Sequence, residues 1–284
     1  FQAEDGIRDC LLSRGLGDVY KRQVLLPAAY EEGGPGMDLS TAQQRFVSGG
    51  FRRYWERFDQ LQGMLRSSQS MQACVHSLRA VPWDQVQRHV VEAHRRGLKL
   101  HVHLEEQPRE LAEIKAAYGA HPVRLLLDSG HPIEHLVGVH MTHTPELQVV
   151  EWIERGATIL PCPLTEGDLG DGVPILPDHP RLNQQLALGT DSNLRISMFE
   201  EMRRLEHDQR GRTLRRGALR CGGDAPAEVL WHAASTGGRL ALGLSEPGPS
   251  LSINQMHHLL TPTQDSSLLD ALVFGGDERV FESE

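Results

Sequence analysis

The stretch Leu100-His101-Val102-His103-Leu104-Glu105-Glu106-Gln107 sets two imidazoles on a strand-like run with carboxylates directly after it. Residues two apart on a strand point to one face, so His101 and His103 share a face, and Glu106 follows three residues after the second. Imidazole is the commonest metal ligand, and a nearby carboxylate is the usual carrier of a proton from activated water. The functional reading is therefore a hydrolytic metal site. A packed or surface strand rich in histidine would show the same letters, and the flanking sequence has to separate the two readings.

Outward from this stretch, apolar runs alternate with helical patterns. Val24-Leu25-Leu26-Pro27 reads as a short strand that ends in a Gly/Pro loop, Gly33 to Gly36. Gln43 to Leu65 reads as one long amphipathic helix with Phe46, Phe51, Trp55, Phe58, Leu61 and Leu65 on its core side. Strands follow at Met71–Val75, Leu98–His103, Leu136–Met141, Thr158–Pro161 and Gln185–Thr190. The helices between them include Trp83–Arg96 stopped by Gly97, Pro108–Tyr118 stopped by Gly119, and one opened by Thr144-Pro145 that runs to Arg155-Gly156. Leu164 to Arg181 reads as a long polar loop, and helices recur around Phe199–Gln209 and Ala225–Ala234. Such alternation implies a parallel sheet with right-handed crossovers, either doubly wound or a (β/α) barrel. His76, His103, His140 and Asp191 each fall at the carboxyl end of a different strand, and a barrel gathers those ends at one mouth. The end of the chain, Leu268–Phe274 with Arg279-Val280-Phe281, reads as a short hairpin-like tail.

Composition narrows the classes. The 284 residues are enough for one large α/β domain, and a hydrophobic fraction of 39% with a negative mean hydropathy fits a water-soluble chain with no membrane-spanning run. A net charge of −9 argues against a nucleic-acid surface, and the basic stretch Arg203 to Arg220 is interleaved with acids as on a solvated helix face. Cys10, Cys74, Cys162 and Cys221 form no Cys-x-x-Cys pair, which suggests neither a disulfide framework nor a thiolate zinc site and fits a cytoplasmic location. Fifteen histidines against seven Phe, four Trp and four Tyr put the unusual weight on imidazole.

Taken together, His76-Ser77-Leu78-Arg79, His101-Val102-His103-Leu104-Glu105-Glu106-Gln107, Val139-His140-Met141-Thr142-His143 and Gly189-Thr190-Asp191-Ser192-Asn193 resemble the deaminase branch of the amidohydrolase superfamily. Pro161-Cys162-Pro163-Leu164-Thr165-Glu166-Gly167-Asp168-Leu169-Gly170-Asp171-Gly172 sharpens the resemblance toward the formimidoylglutamate deiminases. The resemblance covers roughly Val24 to Val280. It implies a metal-dependent (β/α) TIM barrel, here strands three to eight, with a remnant of a small β-sandwich at the C-terminus. It also implies zinc-dependent deimination of N-formimidoyl-L-glutamate to N-formyl-L-glutamate and ammonia, as in histidine degradation. In that pattern His103 and Asp191 ligate Zn2+, Glu106 moves the proton, His140 holds the attacking water and stabilises developing charge, and His76 with Arg79 binds substrate carboxylates. His101 becomes a packed support, and His143 stays open between a supporting residue and a substrate contact. The implied partner is a small dicarboxylate, with a homodimer left open; neither nucleic acid nor membrane is expected.

The same resemblance exposes a departure. The family takes a further His-x-His pair from its first barrel strand, and none stands upstream of Val24. Phe1 to Gln23 shows no strand or helix period, and AEDGIRDCLLSRGLGDVYKRQ looks like a translated sequencing adapter, so 1–23 is expected to be a leader without packing, 24–245 the partial barrel and 246–284 a tail. With two of the four family ligands, the chain as written is expected to bind zinc poorly and to be inactive. The alternatives are a deaminase of the same superfamily acting on a nucleobase or nucleoside, or a noncatalytic partial-barrel remnant.

Overall fold

Parallel strands alternate with helices along most of the chain in the computed structural model, which describes residues 23–246, 252–254, 256–260 and 267–281. The expected leader lies outside the described residues apart from Gln23, which opens the first strand. The described residues form two compact units, those up to His103 with Glu110–Leu136, and Leu104–Arg109 with those from Val137 onward.

In the first unit β1 (Gln23–Leu25) pairs in parallel with β3 (Gln69–Met71). β2 (Ala28–Ala29), β4 (Ala73–Ser77) and β5 (Leu100–Leu104) form a second parallel set with β4 in the middle. Both faces of β4 and β5 are largely buried, as crossover helices on a parallel sheet require. The helix expected over Gln43–Leu65 is interrupted. A short 3-10 turn spans Gln44–Phe46, and the α-helix runs only over Gly50–Gln62. Gly49 and Gly50 take φ of 83° and 86°, a left-handed backbone that breaks helical continuation. Phe46 is therefore outside the helix, Leu61 is exposed, and Tyr54 joins Trp55 and Phe58 in the core. This helix packs on Trp83–Arg95, whose Val86, His89, Val90 and Ala93 are buried at helical spacing. Helices Pro108–Tyr118 and Pro122–Asp128 follow, the latter not expected from the sequence.

In the second unit β6 (Leu136–His140) is buried along its whole length and pairs in parallel with β7 (Thr158–Leu160). The strand expected at Gln185–Thr190 does not form as one. Gln185 ends a short helix, Leu182–Gln185, and only Leu186 bridges Ile159. Ala187 and Gly189 still donate to Ile159 and Pro161, so the segment runs extended beside β7. Leu-Ala-Leu-Gly carries no β-branched residue to stiffen it. The loop expected from Leu164 opens as a helix instead, Pro163–Leu169, with proline in its first turn and Gly170 closing it at φ 73°. The expected hairpin tail is also helical. Leu268–Gly275 places Leu268, Leu269, Leu272 and Val273 at three-to-four-residue spacing and packs on helices Met198–Thr213 and Pro226–His232. Among the described residues a single antiparallel bridge, Ile253 to Phe281, remains of the expected tail pairing. Cys74, Cys162 and Cys221 are buried free thiols, and no helix among the described residues is long and apolar enough to cross a membrane.

Candidate active site

Backbone strain marks the strand ends. Among the described residues five non-glycines take positive φ, and four of them are Glu105 after β5, His140 and Met141 at the end of β6, and Asp191. A left-handed L-residue costs about 1–2 kcal/mol, so such residues persist where the surrounding contacts hold them. Here the contacts are visible. Met141 donates its N–H to the Leu104 carbonyl at 2.9 Å, and the Thr142 hydroxyl lies 2.8 Å from the carbonyls of both Glu105 and Glu106. The Thr144 hydroxyl donates to Glu105 Oε2 at 2.7 Å, and Glu105 is 0% exposed. Thr142 and Thr144 thereby hold the Glu105-Glu106 backbone in place. Neither residue has a role at the site by sequence alone, Thr142 standing only within a quoted motif and Thr144 only as a helix opener.

His140 is the centre of the second unit's cluster. Its Nδ1 lies 3.2 Å from Glu166 Oε1, and its Nε2 lies 3.6 Å from Glu106 Oε1 and 3.7 Å from Asp191 Oδ2. Burial alone would push the imidazole to lower pKa. The Glu166 hydrogen bond and the charges of Glu106, Glu166 and Asp191 outweigh that, and the pKa is raised to about 9. Glu166 is buried and accepts the Cys162 N–H at 2.7 Å as well, which fixes its carboxylate at the start of its helix. Burial raises its pKa, and the His140 contact opposes that. Glu166 lay in the quoted motif with no role assigned; its place under His140 depends on packing between segments distant in sequence. Asp171 accepts from the Gln107 amide at 3.0 Å, and burial raises its pKa.

The second unit thus brings Glu106, His140 and Asp191 together. In the first unit His76 and His103 stand with ring centroids 5.0 Å apart, and Tyr30 meets His76 edge-on at 4.9 Å. The register of β4 against β5 shifts between Val75 and Ser77, so His76 is the extra residue of a bulge, a device that re-aims a side chain at a strand end. Burial and the neighbouring His103 and Arg79 hold the His76 pKa well below the usual value. His103 Nδ1 lies 2.6 Å from the His76 carbonyl. A carbonyl only accepts, so Nδ1 carries the proton and Nε2 has the lone pair, the tautomer that a metal-ligating histidine uses. His101 is buried within β5, and Arg79 Nε is buried without a hydrogen-bond partner among the described residues.

The donor set suits a borderline-soft cation. His140, Cys162 and Asp191 each offer one ligand atom, all within 4.8 Å of one another. A nitrogen, a sulfur and a carboxylate oxygen are the ligand types zinc takes. Cys162 was not foreseen as part of this group. Its thiol is held well above the ordinary range by burial and by the nearby carboxylates, and His140 is raised to about 9, so both would have to shed a proton to ligate.

Known proteins resemble the chain over most of its length. The model of the amidohydrolase family matches residues 49–248. The chain is 32% identical over 268 residues to the formimidoylglutamate deiminase of Pseudomonas aeruginosa, which covers 90% of this chain and 58% of that protein. It is 29% identical over 176 residues to the 5-methylthioadenosine/S-adenosylhomocysteine deaminase of Pelotomaculum thermopropionicum, covering 61% of this chain and 39% of that one. Among solved structures, an amidohydrolase from Brucella melitensis superposes with a TM-score of 0.76 at 27% identity, over 89% of this chain and 58% of its own. The chain spans a little over half the length of two of these proteins.

Proposed function

Because the chain belongs to the amidohydrolase family, we propose that it carries the proton-transfer and substrate-holding residues of a metal-dependent hydrolase that converts N-formimidoyl-L-glutamate and water to N-formyl-L-glutamate and ammonia. The observation that carries the reading is His140 set between the carboxylates of Glu106 and Asp191, at 3.6 and 3.7 Å. The similarity over 90% of the chain to a formimidoylglutamate deiminase supports the substrate. In this reading Asp191 and His103 are each metal ligands, and zinc when bound supplies the Lewis acid that makes water a nucleophile near neutral pH. The carboxylate of Glu106 takes the proton from the attacking water and hands it to the departing nitrogen. As the water oxygen bonds the amidine carbon, charge develops there. His140, protonated at neutral pH, donates a charged hydrogen bond to it. The new hydroxyl then gives its proton, through Glu106, to the same nitrogen, the carbonyl forms, the C–N bond breaks and ammonia leaves. Arg79 offers a guanidinium to a substrate carboxylate, a partner its buried Nε lacks among the described residues, and His76 stands three residues earlier, in β4.

A second reading, deamination of a nucleobase or nucleoside, is favoured by the similarity to the methylthioadenosine deaminase. Ammonia release by the full-length gene product from N-formimidoyl-L-glutamate and from 5-methylthioadenosine, with metal content measured in parallel, separates them. Release from the first substrate alone, lost in Glu106→Gln, is the expected result. Release from the nucleoside alone overturns the amidine assignment.

A further inference from the structure

A second histidine–carboxylate cluster stands in the first unit, at the opposite end of β5 from His103. His94, in the last turn of the helix Trp83–Arg95, and the adjacent pair Glu134-His135 each offer one ligand atom, and these atoms lie within 4.8 Å of one another. Leu100 donates its N–H to the His135 carbonyl at 3.0 Å, which places the cluster at the amino end of β5, roughly 10 Å of strand from His103.

His135 is built for a partner it does not have. The residue is 8% exposed, and its Nε2 lies 3.0 Å from the Val90 carbonyl. The carbonyl can only accept, so Nε2 holds the proton and the lone pair is on Nδ1. That Nδ1 is buried and has no hydrogen-bond partner among the described residues. A histidine whose one nitrogen donates to a backbone carbonyl while the other presents a lone pair is oriented as metal-bound histidines are. His94 Nδ1 lies 3.2 Å from Glu134 Oε1, and both side chains are about half exposed, at 45% and 53%.

We propose that His94, Glu134 and His135 form a binding site for a divalent transition-metal ion, zinc in the first instance, separate from the candidate active site. Two imidazoles and a carboxylate select such ions over magnesium or calcium. Ligand atoms around a tetrahedral zinc lie roughly 3.5 Å apart, and the two half-exposed side chains can close that distance on the fixed His135. The remaining coordination positions face solvent and take water. Lys99, whose ammonium donates to the Glu134 carbonyl at 3.3 Å, places a positive charge nearby and limits the affinity.

The test is zinc titration of the untagged, chelator-stripped full chain, followed by calorimetry, with folding checked by circular dichroism. His94→Ala and Glu134→Gln change half-exposed side chains and leave the buried His135 in place. One binding event should weaken at least about tenfold in each of them and persist in Asp191→Asn, since even supporting residues around a metal are worth that much. Wild-type stoichiometry and affinity in both His94→Ala and Glu134→Gln, or no zinc binding that survives Asp191→Asn, overturns the proposal.

Discussion

Glu201 shows how burial of a single charge sets a pH response. The residue is 0% exposed, its Oε2 accepts the Leu164 N–H at 2.9 Å, and its Oε1 has no hydrogen-bond partner among the described residues. Burial pushes its pKa up to about 7, the Leu164 contact works against this, and the nearby Glu166 adds to it. A carboxyl raised from its unfolded value near 4.5 leaves the fold fully stable below that value and destabilises it as pH climbs through about 7. Glu201→Gln keeps an acceptor for Leu164 and removes the charge. It should gain on the order of 1 kcal/mol at pH 8 and little at pH 5, read from urea unfolding at the two pH values. An equal gain at both would show that the charge is not the cause. The Glu166 contact to His140 makes a second residue-level prediction. Glu166→Gln removes a hydrogen-bonded negative partner, so the His140 pKa should fall from about 9, followed by histidine NMR titration.

At the scale of elements, the contact between helices Gly50–Gln62 and Trp83–Arg95 carries a polar residue in an aromatic setting. His89 packs against Phe51, Tyr54 and Trp55 with ring centroids 5.0, 4.8 and 5.9 Å away, and neither ring nitrogen has a hydrogen-bond partner among the described residues. Burial first, and then Arg88, lowers its pKa to about 4. For a base lowered in this way, stability is full above the unfolded value of 6.5 and is lost as pH falls toward 4. His89→Leu should stabilise the protein by about 1 kcal/mol at pH 7 and flatten the acid limb of the stability curve, measured by denaturant midpoint against pH. Two glycines in the second unit make a matched pair. A Cβ on Gly237 would stand 2.0 Å from the Leu186 carbonyl oxygen, whereas one on Gly211, within the helix Met198–Thr213, would meet nothing within 4 Å. Gly211→Ala should therefore stabilise by up to about 1 kcal/mol through helix propensity. Gly237→Ala should lower the melting temperature sharply, because backbone cannot move aside as a side-chain tip can.

At a larger scale, acidic groups gather around His140 in the second unit. Glu106, Glu166 and Asp191 all act on His140, and Asp171 and Glu201 add to the field they make. Bringing like charges together costs free energy that a bound cation offsets, and an ion that binds only the folded state stabilises it by mass action. In a His94→Ala background, zinc should raise the melting temperature of the chelator-treated chain, and Asp191→Asn should remove most of that rise. A melting temperature unmoved by zinc would argue against a cation at this cluster.

The alternation of strands and helices, the glycine stops at Gly97, Gly119 and Gly156, and the order of His76, His103, Glu106, His140 and Asp191 were legible in the sequence, because each rests on local periodicity, turn chemistry or a short motif. The breaks at Gly49-Gly50, the helical start of the Leu164 loop and the helical tail were misread where those local signals competed with one another. The sequence by itself determined that His76, His103 and His140 fall near the carboxyl ends of β4, β5 and β6. Only the tertiary structure decided that Glu166 lies against His140, that Thr142 and Thr144 hold Glu105 and Glu106, and that His94 meets Glu134 and His135. Those contacts join residues 26 to 41 positions apart. No periodicity encodes them; they follow from close packing of one segment on another.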